Sequence, residues 1–107
     1  MQAEEIKDEI KKIVGEQINF EGHFNSVVGN MPEKIQLNLL EWIKKCKEQE
    51  LDPKPSPNFR ELLVFFFKPY ITNIRGILTK KKNSYFIALF LDKHKYYDRE
   101  RRKLGFG

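Results

Sequence analysis

A chain of 107 residues is too short for two independent cores and falls in the range of a single domain. Hydrophobic residues make up 40% and aromatic residues 13%, which excludes a disordered chain; the length disfavours a multi-domain enzyme with its own nucleotide-binding domain. The net charge of +5 is unevenly spread: residues 1–57 carry eight Lys/Arg against eleven Asp/Glu, net −3, and residues 58–107 carry twelve against four, net +8. All the arginines (Arg60, Arg75, Arg99, Arg101 and Arg102) stand in the second half, where a planar fork of donors suits phosphate. That half is the candidate surface for nucleic acid or an acidic partner, the plain alternative being that its charges only solvate a turn and a helix.

The single cysteine excludes an intrachain disulfide and is compatible with a reducing compartment. The start of the chain is acidic and shows no basic flank followed by an apolar secretory stretch. The apolar runs at residues 62–67 and 85–91 are far below the length needed to cross a bilayer of about 30 Å. A cytoplasmic protein without a membrane partner is expected.

Along the chain, Ile6, Ile10, Ile13 and Val14 lie on one face of a helix over residues 3–14, with Gly15 as terminator. Residues 1–15 read as an N-terminal helical extension and 16–107 as one domain. Residues 16–29 fit two readings, a short strand at 17–20 or a helix beginning with Phe20, Phe24, Val27 and Val28. The clearest helix follows, with Asn30 as cap, Pro32 in the first turn and Glu33 completing a capping box. Its apolar stripe is Ile35, Leu39, Trp42, Ile43 and Cys46, broadened by Leu37 and Leu40, and it should end near Glu50 before Pro53, Pro55 and Pro57. The proline-rich segment reads as a stiff extended connection.

Strands are expected over residues 59–67, the first part alternatively a helical turn, over 70–79 with an irregularity at Gly76, and over 85–91. The Lys80, Lys81, Lys82 and Asn83 run supplies a polar turn, and residues 93–104 suit a short helix anchored by Tyr96, Tyr97 and Leu104. Short connections make these strands antiparallel. The expected fold is α+β, a two-layer domain with N-terminal helices packed on a small antiparallel sheet.

Two places suggest chemistry. Arg75, among isoleucines in a strand, is either a solvent-facing residue or a clamp for a phosphoryl group. Lys93, His94, Lys95, Tyr96 and Tyr97 bring an imidazole, two ammonium groups and two phenols together after the strongest strand, a set able to bind phosphate, stack bases and move protons. His23, near Phe20 and Phe24, reads as structural, and Cys46 as a buried small hydrophobe. There is no zinc-type histidine pair, no CxxC, no carboxylate triad, no phosphate loop and no dinucleotide fingerprint, so neither a metal nor another cofactor is expected.

The stretches NMPEKIQLNLLEWIKKC, NFREL and YITNIRGILTKKKNSYFIALFLDKHKYYD together resemble the RelE/ParE superfamily of small toxins from toxin–antitoxin pairs. The phrase IRGI resembles the strand that carries the family's arginine, here Arg75, and ALFLDKHKYY the strand that ends in its basic pair, here Lys93 and His94. The resemblance spans roughly residues 20–100, with His94 where many members carry arginine, Tyr96 and Tyr97 earlier than the usual terminal tyrosine, and Lys68 as a loose counterpart of the upstream lysines.

It implies a RelE-like mRNA interferase: an endoribonuclease that cuts messenger RNA in the ribosomal decoding site by metal-independent attack of the substrate's 2′-hydroxyl. Arg75 would neutralise the phosphorane, Lys93 hold phosphate, His94 supply or accept a proton, and Tyr97 stack on a base or assist proton transfer. Lys68, Lys80, Lys81, Lys82, Lys95 and Arg99 would contact nucleic acid without reading its sequence. The implied partners are a cognate antitoxin, mRNA and the ribosome. Alternatives are a DNA gyrase-inhibiting toxin of the same superfamily, a non-catalytic RNA- or DNA-binding module, and a binder of acidic partners.

Overall fold

The computed structural model describes residues 1–70, 72–91 and 95–107. Its order is α1 (Ala3–Val14), β1 (Ile18–Phe20), α2 (Phe24–Gly29), α3 (Glu33–Lys47), β2 (Lys54–Pro55), β3 (Leu63–Phe67), β4 (Ile74–Lys81), β5 (Ser84–Leu91) and α4 (Lys95–Leu104). Both readings of residues 16–29 are realised in succession, as strand β1 and then helix α2.

The amphipathic spacing of α1 turns Ile6, Ile10 and Val14 into the core shared with α2, α3 and the sheet. Glu5 accepts from the Gln2 amide at the start of the helix, and Gly15, at φ 93°, turns the chain out of it. Helix α3 begins at Glu33 with Pro32 as its cap; the Pro32 carbonyl accepts from the Ile35 and Gln36 amides at 2.9 and 3.0 Å. Asn30 does not cap it, because α2 occupies the preceding residues and Asn30 closes that helix, its side-chain amide donating to the Ser26 carbonyl at 2.8 Å. Leu39, Trp42, Ile43 and Cys46 are buried as their spacing implies, whereas Leu37 faces away from the core and is exposed. Gln36, on the same helix, is buried and donates to the carbonyls of Met1 and Val28, tying α1, α2 and α3 together.

The sheet order is β1-β5-β4-β3-β2. The meander β3–β4–β5 is antiparallel, as short connections require, and β1 joins the far side of β5 in parallel, with Ile18 opposite Tyr85 and Phe20 opposite Ile87. The sheet is therefore mixed.

Its strands are apolar on both faces. Phe65, Phe67, Leu78, Ile87 and Leu89 pack under α1–α3, while Val64, Ile77, Ala88 and Phe90 face the other way and are covered by Tyr97, Leu104 and Phe106. A sheet with two apolar faces needs cover on both. The two-layer expectation thus becomes three layers, the third being α4 and the tail after it.

Strand boundaries shift for local reasons. Residues 59–62 form a turn, with Glu61 at φ 67°, so β3 starts at Leu63. The Thr72 hydroxyl donates to the Pro69 carbonyl and accepts from the Ile74 amide, holding a bend that delays β4 to Ile74. Gly76 is not an irregularity: it pairs in register with Phe67 and Leu89.

Candidate nucleic-acid interface

Parallel pairing of β1 with β5 has a geometric consequence. β5 and β3 end, and β4 begins, at one end of the sheet, and β1, which stops opposite Ile87, leads the chain toward that same end. That end gathers Lys68, just past β3, Arg75 near the start of β4, and His23, just past β1.

Arg75 stands opposite Phe90 in the β4–β5 ladder, so both project onto the α4 side. It is half-buried, and its Nη1 donates to the carbonyls of Thr72 at 3.0 Å and Ile74 at 2.7 Å. Phe90 is the hub of the neighbourhood, its ring 6.1 Å from that of Tyr97 and 5.9 Å from that of His23.

Helix α4 alternates rings and cations at helical spacing. Tyr96 is exposed and lies under Lys95, 5.7 Å from its ring centre, and Arg99, at 5.3 Å. Tyr97 is half-buried and lies under Arg101 at 5.9 Å, a guanidinium that also covers Phe66 at 5.4 Å. Tyr97 thus anchors the helix, and Tyr96 presents a π-face beside cations to solvent. Lys93 and His94 lie outside the described residues.

The lysines of the β4–β5 turn stand elsewhere. From Arg75 to Lys81 the strand advances six residues, roughly 20 Å at about 3.3 Å each. Lys80 and Lys81 also point to opposite faces: Lys80 turns to the α3 side, 5.7 Å from the Tyr85 ring, and Lys81 to the α4 side. Lys82, at φ 57°, makes the turn. Lys80, Lys81 and Lys82 are therefore not part of the Arg75 neighbourhood.

One group at the site reads from the sequence as structural, and its partner gives no local signal of a role. The Nδ1 of His23 is 2.6 Å from the Glu21 carboxylate, whose other oxygen accepts from the His23 amide at 2.8 Å. The His23 ring lies 4.9 Å from that of Tyr96 on α4. The Glu-Gly-His spacing was visible in the sequence, but nothing local says that this turn meets a helix more than seventy residues later.

Among the described residues no three His, Cys, Asp or Glu side chains gather where they could hold a metal ion. Nor, among them, is any helix long and apolar enough to cross a membrane. Cys46 is buried under the sheet, and burial pushes its thiol up to about 12 from 9.0. No family model matches the chain, no curated protein matches it, and no solved structure matches it.

Proposed function

We propose that this chain binds single-stranded RNA across the Arg75–α4 face and cleaves it as a toxin-type endoribonuclease acting on mRNA at the ribosome, held in check by a cognate antitoxin. The observation that carries this reading is the gathering of Arg75 and the cation-flanked ring of Tyr96 at one end of the sheet. Arginine offers a fork to phosphate, and an aromatic face beside cations is a platform for an unpaired base. The antiparallel meander β3–β4–β5 that follows the helices is the part of the fold that supports the reading.

In this reading cleavage follows attack of the 2′-hydroxyl on the adjacent phosphorus. Arg75 neutralises the charge that builds on the phosphorane. Lys93 holds phosphate and His94 delivers a proton to the departing 5′-oxygen, roles that rest on the resemblance alone. Tyr96, the more exposed of the two rings, takes the stacking role that the resemblance gives to Tyr97, and Tyr97 fastens α4 to Phe90. Lys95 and Arg99 contact the backbone beside it, and Lys68 extends the same end.

A second reading draws on a different observation. Arg75 spends Nη1 on two backbone carbonyls, which suits a residue that shapes a docking surface for nucleic acid without turnover. Translation in a purified cell-free system, with mRNA ends mapped, separates the two. The ribonuclease reading expects ribosome-dependent cuts that fall at least a hundredfold in Arg75→Ala. Intact mRNA with salt-dependent RNA binding establishes the binding module, and intact mRNA with blocked supercoiling establishes the gyrase-inhibitor alternative. Lys81→Ala should weaken RNA binding more than Lys80→Ala, because only Lys81 shares the α4 side.

A further inference from the structure

We infer that His23, oriented by Glu21, is the general base that takes the proton from the attacking 2′-hydroxyl. This rests on the ribonuclease reading and adds to it a residue that the resemblance does not supply.

The turn between β1 and α2 grips its imidazole from several sides. Glu21 accepts the His23 amide through Oε1 at 2.8 Å and meets the ring at Nδ1 through Oε2 at 2.6 Å. An ionised carboxylate only accepts, so Nδ1 donates to Glu21, and in the neutral imidazole that arrangement leaves the lone pair on Nε2, the tautomer a base requires. The rings of Tyr96 at 4.9 Å and Phe90 at 5.9 Å fix the plane of the imidazole from the other elements. The side chain nevertheless remains 46% exposed, so a substrate can reach it.

The placement also suits the reaction. Phe90 is the ladder partner of Arg75 and the ring neighbour of His23, so the two groups share one neighbour at the same end of the sheet. A recess of about 150 Å³ opens between His23, Val27, Phe90, Leu91 and Tyr96, with Ser26 as its polar wall. The imidazole lines this recess, which a ribose beside a base stacked on Tyr96 would enter.

In the step itself, the 2′-oxygen forms a bond to phosphorus as its proton passes to Nε2. The bond from phosphorus to the 5′-oxygen breaks, and that oxygen takes its proton from His94. The products are a 2′,3′-cyclic phosphate and a 5′-hydroxyl end, and solvent takes the proton from His23 and restores the one that His94 gave.

Single-turnover cleavage of ribosome-bound mRNA, followed against pH, tests the assignment, with binding of the same RNA carrying a 2′-deoxyribose at the cut site measured in parallel. A general base and a general acid acting together give a rate that rises on the acid side and falls on the alkaline side. Among the described residues, the charged and titratable groups around His23 are Glu21 in its own turn and, on α4, Tyr96 with Lys95 and Arg99 stacked on it. His23→Gln should lower the rate by about 10²–10⁴, abolish the acid-side rise and leave binding of the deoxy substrate within about twofold. His94→Gln should keep that rise and lose the alkaline-side fall. Glu21→Gln keeps the imidazole and its ring contacts and should lower the rate by about tenfold with binding intact. A His23→Gln protein with wild-type rate and pH profile, or one whose loss of cleavage is matched by loss of binding, overturns the assignment while cleavage that depends on Arg75 leaves the ribonuclease reading standing. Wild-type protein that cuts no RNA overturns both.

Discussion

The Ser56 hydroxyl donates to the carbonyl of Leu104 across 2.6 Å, joining the proline-rich segment to the last residue of α4. The same oxygen accepts the amides of Asn58 and Phe59, and the Asn58 side chain donates to the carbonyls of Arg102 and Lys103. These donors cap carbonyls that a helix end leaves without intrahelical partners. A segment that reads as a plain connection is thus the clamp that holds α4 on the sheet, and with it Tyr96 and Tyr97.

Ser56→Ala should therefore loosen α4 selectively. Leaving the buried Leu104 carbonyl without its donor costs about 1–3 kcal/mol. For a domain of this size each kcal/mol lowers the melting temperature by roughly 4–8 °C. Amide hydrogen exchange should accelerate in α4 before it does in α3. Equal acceleration throughout would show that the bond supports the whole fold and not one helix.

Gly76 has no room for a side chain. A Cβ there would lie 3.0 Å from both Phe67 Cβ and Leu89 Cδ2, on its two ladder neighbours. The requirement is steric, since its backbone follows the ordinary strand register. Gly76→Ala should cost about 1–3 kcal/mol, as overpacking of a filled core does. Urea unfolding should show a lower midpoint with an unchanged slope.

Cys46 links burial to pH. The native chain keeps the thiol proton up to about pH 12, while the unfolded chain loses it near 9.0. Between those values the unfolded state binds fewer protons, so stability falls as pH rises, and below pH 9 the thiol contributes no pH dependence. Tyr85, raised by burial from 10.0, acts in the same direction at higher pH. Urea melts at pH 8 and pH 10.5 should show the loss, and Cys46→Ala should show a smaller one. At pH 8 a thiol reagent should label Cys46 only as fast as the protein opens.

Much of the fold was legible in local spacing. The isoleucines of α1, the stripe Leu39, Trp42, Ile43 and Cys46, and the apolar run of β5 each commit a segment to one structure, because side-chain periodicity is itself the signal. Local spacing misleads where a residue has two local uses. Asn30 is equally good at either end of a helix, and only the presence of α2 assigns it to the earlier one. Gly76 reads as a break in a strand, although what demands glycine there is the bulk of Phe67 and Leu89.

For the candidate site, the sequence by itself determined the chemical inventory: arginines confined to the second half, a cation- and tyrosine-rich α4, and Arg75 inside a strand. Tertiary structure decided which of these meet. Pairing of β1 alongside β5 carries His23 to Phe90 and Tyr96, and the β4–β5 register sets Arg75 opposite that same Phe90. Such meetings depend on which apolar faces pack against one another across most of the chain, and the spacing of neighbouring residues carries no record of that.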